Sequence, residues 1–344
     1  MSPNDLSKIT ARLMADGKGL LAIDESTGTA DKRFAAEGIP QTEALRRQWR
    51  ELILTIPSLG EAVSGAILFD ETIRQTTDTG VPFTQVMRDA GIIIGIKVDK
   101  GTVDLPGHPG ETFTEGLDGL RQRLKDYREM GAEFAKWRAV FTIGARHPTE
   151  AGMAANAQGL ALYAALCQEA GLVPIVEPEV LMDGDHSLER CGEVTEAVLK
   201  VVFAHLDQLG VQLEGMLLKP NMVLPGDDHA QKASAEAVAR ATLTCLTRSV
   251  PAAVAGIAFL SGGQTGPEAS ARLNAMHAPG HTLPWPLTFS FGRAIQEPAL
   301  HIWHGDNANR PAAQKALLHR AKLDSAARRG AYSDAMEKEP EPHL

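Results

Sequence analysis

The sequence has few cysteines, and their number and spacing exclude several kinds of protein. Cys167, Cys191 and Cys245 are an odd number at wide spacing, so neither a disulfide framework nor a Cys-x-x-Cys metal site is expected. No apolar run approaches the ~20 residues that span a bilayer, and the first residues lack the pattern of a secretion signal. The sequence therefore predicts a protein of the reducing cytoplasm without a membrane segment.

Blocks of positive charge are also missing. Thirty-four Lys and Arg stand against 43 Asp and Glu, which gives a net charge of −9 and no basic footprint for nucleic acid or an acidic membrane. No His-Glu-x-x-His, Walker motif or strand-following G-x-G-x-x-G is present. We therefore expect no metal and no nucleotide cofactor.

What the sequence does contain is a series of eight short apolar runs, bounded by turn residues and separated by segments of helical periodicity. Their starts lie 26 to 46 residues apart, the length of a strand plus a crossover helix. This pattern predicts a single-domain α/β protein, a (β/α)₈ TIM barrel over about 19–307, with an open doubly wound sheet as the alternative. The predicted strands are 19–24, 65–69, 91–99, 134–140, 172–180, 215–222, 256–263 and 287–293.

The two ends of the chain have their own patterns. Residues 2–18 predict a short N-terminal capping helix, and about 308–330 predict one long C-terminal helix that ends at Gly330. The last stretch, 331–344, is acidic, contains proline and is poor in apolar residues, which predicts a mobile tail. No linker composition divides the body, so we expect one domain over 1–344.

Charged and hydroxyl side chains gather at the carboxyl ends of the predicted strands, where barrel enzymes build their active sites. They could be structural ion pairs that close the barrel. However, the strand starts carry no matching set, and burying so many polar groups without a role costs much desolvation. We therefore favour a charged active site formed by Asp24, Lys97, Asp99, Lys136, Arg138, Glu177, Glu179, Lys219, Ser261 and Arg293.

Lys219 is the first candidate for a nucleophile, because it follows an apolar strand and precedes Pro220. Burial and a neighbouring cation such as Lys136 would favour the neutral amine, which forms Schiff bases with carbonyls. Glu177 or Glu179 could move protons, since a carboxyl group in an apolar strand is expected to have a raised pKa.

A second motif suits phosphate. Ser261-Gly262-Gly263 lies between a strand and a helix start, where backbone N–H groups and the helix N-terminus favour anions. Such a turn alone is often just a tight turn. Gly292-Arg293 follows the eighth strand, and barrel phosphate sites commonly use the loops after strands seven and eight, so a phosphorylated ligand is expected.

These residues, in this order, resemble the class I fructose-1,6-bisphosphate aldolases. The similarity runs from about Gly17 to about Tyr332. It implies a (β/α)₈ barrel, no cofactor, and metal-independent, reversible cleavage of fructose 1,6-bisphosphate to dihydroxyacetone phosphate and glyceraldehyde 3-phosphate in glycolysis or gluconeogenesis. The blocks that carry the resemblance are GKGLLAIDESTG, GIKVDKG, ETFTEGLDGL, GAEFAKWRAV, VPIVEPEVLMDGDH, LEGMLLKPNMVLPG, FLSGGQ and LTFSFGRA.

The resemblance also implies individual roles. Lys219 corresponds to the Schiff-base lysine, Glu177 to the acid/base residue with Glu179 beside it, and Asp24 and Lys136 to the groups that handle the C4 hydroxyl proton. Thr29 stands where the family has a serine, and Arg33 matches an arginine that contacts substrate. One phosphate is expected at Ser261, Gly262, Gly292 and Arg293, and the other at Ser26, Lys97 and Arg138.

One departure from the family leaves the preferred sugar and the efficiency of the C3 proton transfer open: the chain ends in Leu344 rather than in a tyrosine that helps exchange that proton. Phe291, which replaces a tyrosine before Gly-Arg, is a smaller change that removes one hydroxyl near the phosphate. The alternatives are an aldolase that prefers sedoheptulose 1,7-bisphosphate or another phosphoketose, and a catalytically quiet binding scaffold, against which the intact Lys219, Glu177 and Asp24 argue. The resemblance further implies a cytoplasmic homotetramer whose small-molecule partners are phosphorylated ketoses and triose phosphates.

Overall fold

The structure, a computed structural model, describes residues 3–278 and 282–338. The strands are β1 (Gly19–Ile23), β2 (Val63–Leu68), β3 (Ile93–Lys97), β4 (Thr102–Asp104), β5 (Thr112–Thr114), β6 (Phe134–Phe141), β7 (Val173–Val180), β8 (Leu217–Leu218), β9 (Ile257–Phe259) and β10 (Leu287–Phe291). Eight of them are parallel and close into a barrel in the order β1-β10-β9-β8-β7-β6-β3-β2, and β4 and β5 form a separate antiparallel hairpin. The predicted single-domain barrel is confirmed, and the alternative of an open sheet is wrong.

Helices surround the barrel, and several begin at a serine or threonine whose side chain accepts a hydrogen bond from the first turn. Thr42 does so for the helix Glu43–Leu54 and Thr265 for the helix Gly266–Met276, where a capping box with Glu268 completes the helix start. The helices are α1 (Pro3–Leu13), α2 (Thr27–Ala36), α3 (Glu43–Leu54), α4 (Leu59–Ala62), α5 (Asp70–Ile73), α6 (Phe83–Asp89), α7 (Leu120–Glu129), α8 (Glu150–Ala170), α9 (Leu188–Gln208), α10 (Ala235–Ser249), α11 (Gly266–Met276), α12 (Arg293–Trp303) and α13 (Arg310–Arg328).

The N-terminal helix closes one end of the barrel. Leu6, Ile9 and Leu13 of α1 are buried in the same apolar cluster as Leu20 and Phe134 from the barrel interior. A much larger apolar cluster fills the space between the strands and the outer helices. Because α1 blocks the end where the strands begin, the opening of the barrel lies at the carboxyl ends of the strands.

Several strands are shorter than predicted at their carboxyl ends. The sixth predicted strand, 215–222, has only Leu217–Leu218 in strand geometry, because Pro220 has no N–H to donate. The backbone still follows the barrel, since Lys219 N donates to Val176 O at 2.8 Å and Leu260 N donates to Pro220 O at 3.1 Å. The residues freed from regular pairing are those that carry polar side chains.

The mobile tail predicted over 331–344 is wrong for its first part. Tyr332 is buried, and Asp334–Lys338 forms a short 3₁₀ helix. The Tyr332 hydroxyl donates to Glu337 Oε1 at 2.7 Å, and Arg320 of α13 donates to both oxygens of Glu337 at 2.7 Å. These bonds hold the segment to the barrel despite its polar composition, and 339–344 lie outside the described residues.

Within 3–278 and 282–338, every helix is too short or too polar to span a lipid bilayer.

Candidate active site

One cavity of about 1170 Å³ opens at the carboxyl ends of the barrel strands. Every residue that the sequence singles out for catalysis or phosphate binding lines it, although only five of the fifteen lie in strands (β3, β6 and β7) and the others lie in α2, α12 or the connecting loops. They are Asp24, Ser26, Thr29, Arg33, Lys97, Asp99, Lys136, Arg138, Glu177, Glu179, Lys219, Ser261, Gly262, Gly292 and Arg293.

A buried row of four alternating charges lies on the floor of the cavity. Lys219 Nζ is 2.7 Å from Glu177 Oε1, and Lys136 Nζ is 3.0 Å from the other oxygen of Glu177. Lys136 Nζ is also 2.8 Å from Asp24 Oδ2. None of the four residues is more than 8% exposed. The row therefore places an amine, two carboxylates and a bridging cation in direct contact.

Strand geometry explains how these groups meet. Side chains two residues apart on a strand share a face, so Lys136 and Arg138 of β6 point into the cavity together, as do Glu177 and Glu179 of β7. The parallel register pairs Arg138 with Glu177, which sets the two rows side by side. Lys219 follows β8, the other neighbour of β7.

The carboxylates of this row have lowered pKa values. Burial alone would raise the pKa of Glu177, but the charges of Lys136 and Lys219 outweigh it, and the net shift is downward. The pKa of Asp24 likewise falls to about 2, because Lys136 and Lys219 more than offset the effect of burial. The raised pKa expected for Glu177 is therefore wrong, and both groups are ionised at neutral pH.

Lys136 is held in its charged form. Burial would lower its pKa, but the charges of Asp24 and Glu177 raise it well above the ordinary lysine value. Lys136 and Lys219 contact opposite oxygens of one carboxylate. Glu177 therefore lies between the two lysines, whereas the sequence predicted Lys136 as a direct neighbour of Lys219.

Glu179 has a different partner. Its Oε2 lies 2.5 Å from Arg138 Nε, and this contact raises the pKa of the guanidinium despite burial. Of the two glutamates, only Glu177 has a hydrogen bond to Lys219 among the described contacts. The geometry thus separates two carboxylates that the sequence leaves equivalent.

The glycine turn after β9 forms one end of the cavity. Gly262 and Gly263 have φ values of +46° and +90°, which favour glycine. A side chain at 263 would lie 3.5 Å from Arg293 Nη2, so this guanidinium lies beside the turn. Backbone N–H groups next to a guanidinium are suited to a phosphate.

The opposite end is formed by the start of α2 and by β3. Ser26 is the N-cap of α2, and its hydroxyl lies 3.1 Å from that of Thr29. Arg33 donates to Glu25 Oε1 at 2.5 Å, and Lys97 is hydrogen-bonded to Asp99. Two hydroxyls at a helix N-terminus beside two cations form a second place for an anion.

Two further residues line the cavity that the sequence motifs do not indicate. Ser290 of β10 is 1% exposed, and its hydroxyl has no hydrogen-bond partner within the described residues. A serine inside the apolar run LTFSF, two residues before Gly292, was the available signal. Glu25, which accepts from Arg33, Arg50 and Gln296, was also missed.

The site has no recognisable metal centre in the described part of the chain. Across 3–278 and 282–338, no group of three or more His, Cys, Asp or Glu side chains is arranged to hold an ion.

Comparison with known proteins places these features in a family. The family model for fructose-bisphosphate aldolase class-I matches residues 5–343. A probable fructose-bisphosphate aldolase class 1 of Xanthomonas campestris is 54% identical over 96% of this chain and 99% of its own length. The cytosolic fructose-bisphosphate aldolase 4 of Arabidopsis thaliana is 53% identical over 92% of this chain and 80% of its own length. The solved structure of fructose-bisphosphate aldolase from Plasmodium falciparum superposes with a TM-score of 0.94 at 46% identity, covering 96% of this chain and 95% of the other.

Proposed function

The chain belongs to the class I fructose-bisphosphate aldolase family, lyases that use a lysine Schiff base, and we propose that Lys219 is that lysine. The observation that carries the assignment is the 2.7 Å contact between Lys219 Nζ and the ionised Glu177 carboxylate. Lys219 is 4% exposed, yet it lines the cavity, so a substrate carbonyl can reach its amine. The reaction is the reversible cleavage of fructose 1,6-bisphosphate to dihydroxyacetone phosphate and glyceraldehyde 3-phosphate.

Glu177 makes the amine available and then removes water. It takes a proton from Lys219 through their hydrogen bond, and the neutral amine attacks the C2 carbonyl of the ketose to form a carbinolamine. Glu177 then returns the proton to the departing C2 hydroxyl, which leaves as water and gives the iminium. Lys136 stays charged on the other side of Glu177 and stabilises the ionised form that Glu177 has before these steps and regains after them.

Asp24 starts the bond cleavage. Its carboxylate accepts the proton of the C4 hydroxyl, and the O–H bonding pair becomes the second C4–O bond, which forms the carbonyl of the leaving aldehyde. The C3–C4 bonding pair moves into the iminium, which becomes an enamine, and glyceraldehyde 3-phosphate departs. A proton from solvent adds to C3 and restores the iminium, and Asp24 gives the C4 hydroxyl proton back to solvent. Water then hydrolyses the iminium to dihydroxyacetone phosphate and the free amine of Lys219. The iminium is the electron sink, so the step requires no metal.

The two phosphates are assigned by strand order. Ser261, Gly262 and Arg293 follow β9 and β10, and β9 is the direct neighbour of β8, which leads to Lys219. A phosphate one carbon from the C2 atom that Lys219 attacks therefore fits this end. The C6 phosphate fits the end formed by Ser26, Thr29, Arg33, Lys97 and Arg138.

We also propose that the enzyme acts in the cytoplasm as a homotetramer. Two of the Arabidopsis thaliana relatives, at 53% and 51% identity, are named as cytosolic. The tetramer rests on the family resemblance, and light scattering of the purified protein tests it directly.

Borohydride reduction in the presence of dihydroxyacetone phosphate tests the mechanism. We expect a covalent adduct on Lys219, found by peptide mass mapping and unchanged by EDTA. Lys219→Met, which removes the amine and keeps an apolar chain of similar length, should form none. An adduct on Lys136, or no adduct in a protein shown by circular dichroism to be folded, would overturn the assignment of Lys219.

A further inference from the structure

The turn proposed to bind phosphate, Ser261-Gly262-Gly263, is hydrogen-bonded to Gln264, a buried residue that is 2% exposed. The Gln264 Nε2 amide donates to the carbonyl oxygen of Ser261 at 2.9 Å. The backbone N–H of Gln264 donates to the same oxygen at 3.0 Å. One residue therefore closes the turn twice, through its backbone and through its side chain.

Arg272 of α11 fixes which way the Gln264 amide faces. Arg272 Nη1 donates to Gln264 Oε1 at 2.9 Å. Arginine has only donors, so it must face the oxygen of the amide, and the NH₂ group must then face the Ser261 carbonyl. Arg272 Nη2 lies 3.5 Å from Glu268 Oε1 in the first turn of the same helix. A chain of contacts thus runs from α11 to the turn.

The glycines permit the shape of this turn but do not select it. Glycine adopts positive φ at no steric penalty, and it adopts many other conformations as readily. A Cβ at 262 would lie 2.7 Å from Leu260 Cδ1, and one at 263 would lie 2.9 Å from Met182 Sδ. These side-chain atoms can shift, so it is the positive φ at both positions that disfavours other residues. Something else must hold the backbone in one conformation, and the two bonds from Gln264 do so.

We propose that Gln264, oriented by Arg272, is a positioning residue that keeps Ser261 and Gly262 in the conformation that receives a substrate phosphate. The inference rests on the phosphate-binding role proposed above for this turn. The phosphate does not change during the reaction, so a loosened turn weakens substrate binding more than it slows the chemical steps. Loss of the positioning contact raises KM, and kcat changes little.

Gln264→Glu is the sharpest test. Glutamate has the same shape and still accepts from Arg272, but its second oxygen faces the Ser261 carbonyl without a proton to donate. We expect KM for fructose 1,6-bisphosphate to rise about 5- to 100-fold, the range for a buried hydrogen bond, with kcat within about threefold of the parent. Gln314→Glu is the matched control, because within the described residues its amide donates to Leu52 O of α3 and to Thr55 Oγ1, away from the cavity.

A pair of variants at Arg272 tests the orienting step separately, and it decides the matter if Gln264→Glu does not fold. Arg272→Lys keeps a donor for Gln264 Oε1 and should retain a KM close to that of the parent. Arg272→Met frees the amide to rotate and should raise KM about 5- to 100-fold. Equal KM values for the two variants would overturn the orienting role.

Two further outcomes separate this inference from the proposed function. If the parent protein forms the Lys219 adduct but Gln264→Glu loses thermal stability with an unchanged KM, Gln264 is only structural and the inference fails. A fall in kcat with KM unchanged overturns it as well. If the parent itself forms no adduct with dihydroxyacetone phosphate, the proposed function fails first, and the KM comparison is replaced by binding of inorganic phosphate measured by calorimetry.

Discussion

Lys219 Nζ and Glu177 Oε1 lie 2.7 Å apart, although 42 residues separate them in the sequence. The contact exists because β7 and β8 are neighbours in the barrel, and the register that pairs Val176 with Leu218 brings the next residues, Glu177 and Lys219, together. It joins a nucleophile to the group that can take its proton. Glu179, two residues further along β7, bonds to Arg138 instead. This difference in partners gives the first prediction.

Glu177→Gln should reduce kcat by about 10²- to 10⁴-fold, the usual contribution of a positioned acid/base group. Glutamine keeps the shape and the hydrogen bond but cannot accept the proton of Lys219. Glu179→Gln, the matched control, should lose less, because Glu179 contacts Arg138 and not the amine. Steady-state rates and borohydride trapping of both variants provide the comparison. A larger loss of turnover in Glu179→Gln would show that the acid/base assignment is reversed.

The two ends of the cavity should be separable with sugars that carry one or two phosphates. Lys97→Met removes a cation near the proposed C6 phosphate and should lower kcat/KM for fructose 1,6-bisphosphate by about 10- to 100-fold. Fructose 1-phosphate has no C6 phosphate, so the same variant should cleave it within about threefold of the parent rate.

Arg293→Met at the other end is the companion variant in this experiment. It should weaken the binding of both sugars, because both carry the C1 phosphate. Lys200→Met, an exposed lysine on α9 that pairs with Glu196, is the control for loss of one positive charge. If Lys97→Met impaired fructose 1-phosphate as strongly as the bisphosphate, the assignment of the two ends would be incorrect.

Asp324 on α13 should make stability depend on pH. It is 1% exposed, and burial raises its pKa to about 7, despite Arg320 and a hydrogen bond from Ser270 Oγ at 2.5 Å. In the unfolded chain it ionises near pH 4. Between about pH 4 and 7 the folded state therefore keeps a proton that the unfolded state has lost, and this residue lowers the free energy of unfolding as pH rises.

Asp324→Asn removes that titration while keeping an oxygen for Ser270. The variant should gain on the order of 4 kcal/mol in the free energy of unfolding at pH 8 relative to its difference from the parent at pH 4. Urea unfolding at the two pH values measures it. Asp207→Asn, at an exposed position near the end of α9, should show no such change. A gain that did not depend on pH would contradict the raised pKa of Asp324.

Much of the fold was predictable because its signals are local. The apolar run at 172–180 matches β7 closely, since a buried parallel strand needs a continuous apolar sequence. The run at 215–222 was less accurate, because Pro220 ends regular pairing while the backbone continues along the barrel. The prediction for the tail was wrong for another reason: Glu337 accepts from Arg320, and the backbone N–H of Tyr332 donates to Asn274 Oδ1, contacts that composition does not show.

The same distinction applies to the active site. The residue types at the strand ends follow directly from the sequence, and alternation along a strand predicts that Glu177 and Glu179 share one face. The direction of the pKa shift of Glu177 could not be predicted, because it depends on Lys136 and Lys219, which two other strands position. Ser290 was missed since one serine in an apolar run looks like an ordinary strand residue.

The sequence by itself determined the barrel, the family and the set of polar residues at its open end, because the periodicity of strands and helices and the order of motifs are properties of neighbouring residues. Only the tertiary structure decided which groups act on one another: Glu177 with Lys219, Glu179 with Arg138, and Gln264 with Ser261 and Arg272. Hydrogen bonds and charge interactions depend on separations of a few ångströms between residues far apart in the chain, and closing the barrel is what sets those separations.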